Sequence, residues 1–310
     1  MTPIHPYASA AYATTLRHVG RPVWIDAWGT HVLLRDVPGS PGMVDAAGLY
    51  PLCAMRPDAD LAGGLQALRE LWAVSVVLVA DPLAGPDAQT LAAQFPLCRA
   101  FKTHQLVNRA APVVFSAHHR ERVRRGGRRA RVEQVVLREP RWRAAWEVLY
   151  AGLVARHGIT GAAAFPPAAF AALAGLPEGA LRSFAALSPD GEVLAMQLWV
   201  RHGDAAYSHL TATSEAGYRA LATYALYAAA IEDLSDARVL DLGGGAGHAD
   251  DAEDGLTRFK GGFANAAVTA HLCGAVLDPA SYARLGGHAE TGFFPAYRDP
   301  ARGRAIPAPA

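Results

Sequence analysis

One stretch of the sequence, residues 238–247, is Arg-Val-Leu-Asp-Leu-Gly-Gly-Gly-Ala-Gly, and a second, residues 258–263, follows as Arg-Phe-Lys-Gly-Gly-Phe. The apolar run before the glycines predicts a strand that ends in a tight turn. Glycines let a backbone approach a ligand closely, and the amides at the start of a following helix attract anions. We therefore expect a ligand-facing turn at Gly243 and Gly244. We expect the second stretch to be a glycine-flanked strand that carries Lys260.

The first stretch also resembles the turn that holds S-adenosylmethionine in methyltransferases. A doubly wound domain that opens with such a turn needs several further strand–helix units. Few residues remain between Gly247 and Ala310, and the last of them are rich in Pro and Ala. We therefore expect the run to end a strand without binding S-adenosylmethionine, and a methyltransferase stays as an alternative.

Composition predicts a folded protein without a strong charge bias. Hydrophobic residues make up 51% of the 310 residues and charged residues 18%, which is enough for a sizeable core. The formal net charge of +1 indicates no particular partner. The apolar stretches are too short to span a bilayer, and the first residues lack a signal-peptide pattern. We expect a cytoplasmic protein with no membrane partner, and three scattered cysteines that are buried hydrophobes.

Strand-like and helix-like runs alternate along the chain. Strands are predicted at residues 23–26, 31–34, 74–80, 100–107, 131–137, 181–187, 193–201, 205–211, 238–242 and 268–273. Helices are predicted at 61–71, 87–95, 142–157 and 214–234. A Ser-Pro-Asp-Gly turn at 188–191 predicts a hairpin. The fold class is therefore α/β or α+β with a mixed sheet. Each half has a strand pair, a helix, a strand and then a segment with a Phe-Lys dipeptide, so we expect lobes at 1–140 and 141–290. We expect a loosely held Pro/Ala-rich tail at 291–310.

A basic run follows the first Phe-Lys dipeptide. Residues 116–131 contain seven arginines and two histidines, and Glu121 is their only acidic residue. Ser116 is a suitable helix N-cap, and guanidinium groups bind phosphates bidentately. The run predicts a phosphate-binding helix, and a solvated basic helix is the alternative. The candidate phosphate contacts are Ser116, His118, Arg120, Arg124 and Arg125, and the candidate ligands are a nucleotide, coenzyme A or the tRNA backbone.

Lys260 is the strongest candidate for chemistry. A lysine beside glycines can stabilise a developing oxyanion or bind a carboxylate or phosphate; pairing with Asp241 or with the acidic residues 250–254 is the alternative. Tyr207 and His209 alternate on a predicted strand and share a face, although ordinary sheet packing would explain them as well. The sequence contains no nucleophile elbow, Walker loop or zinc motif. It therefore favours a reaction without a metal or a covalent intermediate, such as acyl transfer to an amine.

Six short motifs resemble, in their order and spacing, the Fem-type branch of the GNAT superfamily. They are residues 101–104 (Phe-Lys-Thr-His), 116–120 (Ser-x-His-His-Arg), 149–157, 206–210 with 217–218, 241–245 and 259–263. The resemblance implies two GNAT-like lobes, each a mixed and mostly antiparallel sheet flanked by helices, with a cleft between them. It implies that Lys260 faces the reacting carbonyl and that the neighbourhood of Lys102 and Arg120 lines the substrate channel. The long helical arm of several cell-wall members has no counterpart, and the pyrophosphate loop is reduced to residues 217–219.

The leading hypothesis is an amide-forming acyltransferase. It would move an aminoacyl or acyl group from aminoacyl-tRNA or acyl-CoA to the amine of a small molecule or peptide, with no tightly bound cofactor. The alternatives are a methyltransferase and a non-catalytic module that binds a phosphate ligand or RNA. The candidate catalytic residues are Lys260, His209, Tyr207 and Asp241. The candidate binding residues, besides the five of the basic run, are Lys102, His104, Gly243, Gly244 and Phe259, and no metal ligands are predicted.

Overall fold

The structure is a computed structural model that describes residues 4–247, 251, 253–287 and 292–300. The strands are β1 (Arg21–Ile25), β2 (Thr30–Asp36), β3 (Val44–Gly48), β4 (Ala73–Val79), β5 (Leu97–Asn108), β6 (Arg131–Val135), β7 (Leu181–Leu187), β8 (Val193–His202), β9 (Ala205–Thr213), β10 (Val239–Asp241) and β11 (Ala266–Val276). The α-helices are α1 (Ala10–Ala13), α2 (Leu61–Glu70), α3 (Ala88–Gln94), α4 (Ala117–Gly127), α5 (Pro140–His157), α6 (Pro167–Ala174), α7 (Glu215–Ala220), α8 (Ala222–Asp233), α9 (Gly255–Gly261) and α10 (Pro279–Arg284).

The chain divides into two compact units, and the first contains Phe101–Thr269 together with the residues up to Pro6. Its strands run in the order β5-β10-β9-β8-β7-β6. The β10–β9 pair is parallel and the other pairs are antiparallel. The predicted hairpin turn is present, because the Ser188 amide donates to Glu192 O at 2.8 Å and Gly191 has a φ of +87°. The expected mixed, mostly antiparallel sheet is confirmed here.

The core of this unit lies between its sheet and helices α4 and α8. Apolar side chains from the strands and from α8 form one buried cluster, which includes Phe184, Trp199, Leu226, Ile231 and Phe263. Helix α4 approaches α8 at Gly126, where an added Cβ would lie 2.5 Å from Leu221 O. Close packing therefore fixes the last turn of α4.

The relation of β9 to β10 positions the candidate site. The two strands pair only from Ala205 with Val239 to Tyr207 with Asp241. Strand β10 ends there, whereas β9 continues to Thr213. The glycine turn after β10 therefore begins where β10 leaves β9, with Asp241 as the last residue of the strand.

The second unit contains Tyr7–Ala100 and the residues from Ala270 onward. Its strand order is β1-β2-β3-β4-β11, with a parallel β3–β4 pair and antiparallel pairs elsewhere. Trp28, Leu65 and Phe95 lie in its buried core. Cys53 and Cys273 are buried in that core as the sequence predicts, and Cys98 is half-buried. No helix in the described part of the chain has both the length and the apolar character of a membrane span.

The lobe boundary expected at residue 140 does not coincide with these units. Residue 140 starts α5 within the first unit, and the chain passes between units at 100/101 and 269/270. The physical reason is that two long strands, β5 and β11, begin in one unit and end in the other. The units are therefore not consecutive stretches of sequence, and the symmetric division at residue 140 is replaced by these two crossings.

The described part of the expected tail is anchored rather than loosely held. The Tyr297 hydroxyl donates to Asp45 Oδ2 at 3.0 Å and lies 2.7 Å from Ser75 Oγ. Arg298 forms an ion pair with Asp45 and donates to Asp36 O at 2.7 Å. Polar contacts thus hold residues 292–300 to β2, β3 and β4, while residues 291 and 301–310 lie outside the described residues.

Three secondary-structure expectations are corrected. Residues 255–261 form helix α9 instead of a strand, because the Asp254 carboxylate caps it by accepting from the Thr257 amide at 2.9 Å. The predicted helix at 214–234 is broken at Leu221, which has a φ of +61°. Strand β3 was not predicted, since its Val-Asp-Ala-Ala-Gly sequence has low β propensity and its pairing with β2 and β4 overrides that preference.

Candidate active site

The glycine turn is held rigidly at the end of β10. Asp241 Oδ1 accepts from the Gly243 amide at 2.7 Å, and Gly243 has a φ of +81°, which favours glycine. The Leu242 amide donates to Gln105 O at 2.9 Å, and the Gln105 amide donates to Gly243 O at 3.2 Å. These bonds fasten the turn to β5, so the carbonyl groups of Gly244 and Ala246 have fixed positions.

Two lysines meet at this turn. Lys260 Nζ donates to Gly244 O at 2.7 Å, and Lys102 Nζ donates to Ala246 O at 2.9 Å. An added Cβ at Gly243 would lie 3.0 Å from Lys260 Nζ, and one at Gly244 would lie 3.1 Å from Lys102 Cβ. The positive φ favours glycine at position 243, and an added Cβ at either position would force the nearby lysine side chain to shift by a few tenths of an ångström. The structure brings together Lys102, Lys260, Gly243 and Gly244, which the sequence nominates as candidates at separate places.

The lysine content of the chain is a signal that the sequence interpretation overlooked. Lys102 and Lys260 are the only two lysines among the 29 basic residues, and the others are all arginines. Both lysines are buried, with 6% and 9% of their surface exposed. Lysine and arginine differ because an ammonium is a compact charge whose pKa shifts readily on burial. Both buried lysines of an arginine-rich chain therefore converge on one glycine turn.

Burial makes the Lys260 ammonium easy to deprotonate. The pKa of Lys260 is lowered from its ordinary 10.5 to about 8, mainly by burial and to a smaller extent by the neighbouring charge of Lys102. The carboxylates of Asp241 and Asp254 act in the opposite direction and raise the pKa. Near neutral pH most Lys260 side chains are still charged. The site thus holds a desolvated cation, which interacts with an anionic group more strongly than an exposed lysine would.

A histidine–aspartate pair lies beside the lysines. His104 Nδ1 is 2.8 Å from Asp241 Oδ2, and both side chains are buried. Strand β9 places Tyr207 in register with Asp241, so these two side chains share one face of the sheet. The structure therefore places His104 and Asp241, two separate candidates of the sequence, in one hydrogen-bonded pair.

Helix α9, which carries Lys260, is held by His119 of helix α4. His119 Nε2 donates to Phe259 O at 2.8 Å, and Nδ1 lies 2.9 Å from Ser116 Oγ. Burial lowers the pKa of His119, so the neutral ring accepts the Ser116 hydroxyl hydrogen at Nδ1. The sequence interpretation chose the exposed His118 as a candidate and missed the buried His119. A histidine three residues after a helix-capping serine is the signal that could have found it.

Gly262→Ala is expected to lower turnover by about 10²-fold. An alanine Cβ there would lie 1.9 Å from His119 Cε1, so the ring must move and α9 must shift relative to the turn. A displacement of about 1 Å at a reacting group has an effect of that size, and overpacking costs about 1–3 kcal/mol of unfolding free energy. Gly127→Ala is the matched control because nothing lies within 4 Å of its added Cβ.

Turnover is measured per folded molecule, with the melting temperature taken on the same sample. Full activity in Gly262→Ala would show that the contact between His119 and α9 does not position Lys260.

The remaining candidates make packing contacts in the structure. Phe259 packs its ring against Tyr224 and Tyr227, with ring centroids 4.9 and 5.0 Å apart. His209 lies against Phe165 at 5.9 Å, and burial lowers the pKa of His209 to about 3, so it is neutral. The Tyr207 ring is 5.2 Å from His5. These contacts pack Phe259 against the core of the unit and His209 against Phe165.

The basic run forms helix α4, which begins directly after Ser116 as predicted. The Ser116 Oγ atom accepts from the His119 amide at 3.2 Å, which is the expected N-cap bond. The arginines lie on the exposed side of the helix: Arg120 donates to Phe115 O at 2.6 Å, Arg124 pairs with Glu121, and Arg125 is exposed. The structure therefore separates these surface arginines from the buried lysines.

Comparison with known proteins shows what parts of the chain are similar to. Residues 117–260 match the model of the acetyltransferase (GNAT) domain. No curated protein matches the sequence. The fold is similar to FemX, with 14% identity and a TM-score of 0.63 over 90% of this chain and 95% of that chain. It is also similar to the C-terminal domain of a proposed lysylphosphatidylglycerol synthetase from Agrobacterium fabrum, with 17% identity and a TM-score of 0.60 over 89% of each chain.

A third similar structure is L-PGS from Bacillus licheniformis, with 11% identity and a TM-score of 0.56 over 87% of this chain and 93% of that chain. At these identities the three structures show a shared fold. The domain match and the fold together confirm the resemblance carried by the sequence motifs. Residues 117–260 thus match an acetyltransferase (GNAT) domain, and the fold of the chain is similar to that of FemX.

Proposed function

We propose that the protein transfers an aminoacyl group from aminoacyl-tRNA to the amine of a small molecule or peptide, and so forms an amide. The observation that carries this proposal is the buried lysine pair at the glycine turn. Burial contributes most to the lowered pKa of Lys260, Asp241 and Asp254 raise this pKa, and electrostatic repulsion from Lys102 lowers it. A negative charge that forms between the two lysines would relieve this repulsion.

Acyl transfer produces such a charge. The neutral amine attacks the carbonyl carbon, the new C–N bond forms, and negative charge develops on the carbonyl oxygen. The C–O bond of an ester, or the C–S bond of a thioester, then breaks, and the leaving oxygen or sulfur receives the proton that the amine loses. The Lys260 ammonium has three N–H donors, and Gly244 O accepts from one of them. Another donor is available to stabilise the oxyanion.

The exposed arginines of helix α4 favour a donor with many phosphates. Arg120, Arg124 and Arg125 present guanidinium groups at the surface of the unit that contains the lysine pair. The start of helix α7 supports the same choice over acyl-CoA. Ser214 Oγ accepts from the Gly217 amide at 3.0 Å, so the cap occupies an amide that a pyrophosphate would otherwise use. The name of the Agrobacterium fabrum relative also describes a product with a lysyl group.

Separate donors test this proposal. Single-turnover reactions with aminoacyl-tRNA, acyl-CoA or S-adenosylmethionine, each with a mixture of primary amines, are analysed by mass spectrometry. We expect an amide product from aminoacyl-tRNA. An amide from acyl-CoA alone would contradict the tRNA donor and keep the acyltransferase. A methylated product, or thermal stabilisation of about 2.7 kcal/mol by S-adenosylmethionine at 100 times its dissociation constant, would support the alternative function.

The basic face of α4 is tested in the same assay. Replacing Arg120, Arg124 and Arg125 together by Ala is expected to weaken tRNA binding and to reduce the slope of log affinity against log salt by about 2. The free energy of unfolding should change by less than about 1 kcal/mol, since exposed charges contribute little. The matched control replaces three exposed arginines of the other unit: Arg17, Arg21 and Arg69. Equal salt slopes in both triple variants would show that α4 is only solvated.

A further inference from the structure

His104 and Asp241 form a buried pair whose hydrogen bonds fix both side chains. Asp241 Oδ1 accepts from the Gly243 amide at 2.7 Å, and Asp241 Oδ2 lies 2.8 Å from His104 Nδ1. The aspartate keeps only 2% of its surface exposed and the histidine 8%. Each carboxylate oxygen thus has its own hydrogen bond, and the imidazole ring is held in one orientation.

The pairing determines which ring nitrogen can accept a proton. An ionised carboxylate has no hydrogen to donate, so His104 Nδ1 must donate to Asp241. In the neutral ring the lone pair is then on Nε2. A carboxylate behind Nδ1 also stabilises the imidazolium that forms when Nε2 takes a proton. The pair therefore has the electronic arrangement of a base that a carboxylate supports.

The charged and titratable groups around this pair come from four elements. Lys102 precedes His104 by two residues on β5 and lies on the same face. Asp241 is on β10, and Tyr207 on β9 is in register with it. Lys260 on α9 interacts electrostatically with Asp241 and with Lys102. His104 therefore belongs to the same cluster of groups as the lysine that is placed at the reacting carbonyl.

We propose that His104 is the general base of the acyl transfer and that Asp241 positions it. This inference rests on the proposed function. As the C–N bond forms, the attacking nitrogen gives a proton to His104 Nε2. The imidazolium then returns that proton to the leaving alkoxide or thiolate as the C–O or C–S bond breaks. No electron is gained or lost, and no further reactant is consumed.

His104 and Lys260 are suited to different roles. Lys260 donates to a carbonyl and is mostly charged near neutral pH, which suits an oxyanion donor rather than a base. His104 has a nitrogen lone pair because its other nitrogen faces a carboxylate. Replacing His104 and replacing Lys260 are therefore expected to change the activity with different acceptors differently.

The test compares two acceptors. Asn at position 104 keeps an N–H donor for Asp241 but has no proton-accepting nitrogen. With a primary alkylamine as acceptor, His104→Asn is expected to lower kcat by about 10²–10³. With hydroxylamine, which is neutral near pH 7 and whose adduct loses its proton readily, the loss should be less than about tenfold. Lys260→Met is the reference and should lose activity with both acceptors, because both reactions form an oxyanion.

Two further readouts separate a base from a structural histidine. The rise of kcat with pH that reports deprotonation of the base should disappear in His104→Asn. Added imidazole should restore part of the activity of His104→Ala with the alkylamine. Equal losses with both acceptors, an unchanged pH profile and no rescue would overturn the role of His104 while leaving the acyltransferase intact. A wild-type protein that makes no amide with either acceptor and any donor would instead overturn the proposed function.

Discussion

Lys260→Met is expected to lower turnover by about 10²–10³ and to leave the fold intact. Removing one donor to an oxyanion has an effect of this size. Methionine has nearly the length of lysine but carries no charge and donates no hydrogen bond to Gly244 O. Because the ammonium is buried at a cost, its loss should not lower the melting temperature. Turnover and melting temperature are measured on one preparation, and a fully active variant would remove Lys260 from the mechanism.

The pH dependence of turnover reports which form of Lys260 acts. The charged form predominates below its pKa of about 8. If the ammonium stabilises the oxyanion, kcat should fall above that pH by about tenfold per unit. Lys260→Arg should be partly active at best, because a planar guanidinium differs in shape from an ammonium, and its high-pH decline should be absent. A kcat that rises through pH 8 would identify the neutral amine as the active form.

The lowered pKa of Lys260 should make the free energy of unfolding depend on pH. The folded pKa of about 8 lies below the ordinary value of 10.5. Between these pH values the unfolded chain holds a proton that the folded chain has lost, so the free energy of unfolding rises with pH. The full increment for a shift of this size is about 3 kcal/mol. The free energy of unfolding of wild type minus that of Lys260→Met should therefore rise from pH 8 to pH 10.5. A constant value would contradict the lowered pKa.

The lysine content of the chain permits a direct measurement of this pKa. With only Lys102 and Lys260 present, protein labelled with ¹⁵N at lysine Nζ gives two side-chain signals, and Lys102→Arg assigns them. The Lys260 signal is expected to titrate near pH 8. A titration near 10.5 would contradict the desolvation of its ammonium, whatever the activity of the variants.

The residues of this site could be predicted from the sequence more fully than their arrangement in space. Gly243 and Gly244 could be predicted as a turn because glycines after an apolar run have a strong local signature. Lys260 could be chosen from its glycine neighbours, and its helix has a local signal that was missed, because Asp254 is a favoured N-cap residue directly before it. The meeting of Lys102 with Lys260 depends on the register of β5 with β10, in which Leu106 faces Asp241. Such long-range register leaves no local pattern in the sequence.

The same argument explains what was missed in the fold. Strand β3 has little β propensity, so only its partners make it a strand. The division into units could not be inferred from the order of elements, because β5 and β11 each pass from one unit to the other. The anchoring of residues 292–300 depends on Asp45, which is distant in sequence. In each of these cases tertiary contacts decide the structure.

Asp45→Asn is expected to destabilise the protein by about 3–5 kcal/mol, the typical effect of breaking a buried ion pair. Asp45 is fully buried and accepts from Arg35 Nε at 2.9 Å and from the Tyr297 hydroxyl at 3.0 Å. Arg298 completes the cluster with bonds to both carboxylate oxygens. The asparagine keeps the shape but leaves two largely buried guanidinium groups facing each other without a counter-charge. Their repulsion is already evident, since Arg298 lowers the pKa of Arg35.

Chemical denaturation measures this loss, with Asp36→Asn as the control because Asp36 is an exposed aspartate at the end of β2. The control should change the free energy of unfolding by less than about 0.5 kcal/mol. Adding Arg298→Met to Asp45→Asn should recover part of the stability, because one of the two unpaired charges is then removed. Proteolysis should cut residues 292–300 faster in Asp45→Asn than in wild type. If Asp45→Asn is as stable as the Asp36→Asn control, the ion-pair cluster does not hold this segment, and the ring contacts of Tyr297 with Tyr282 must do so instead.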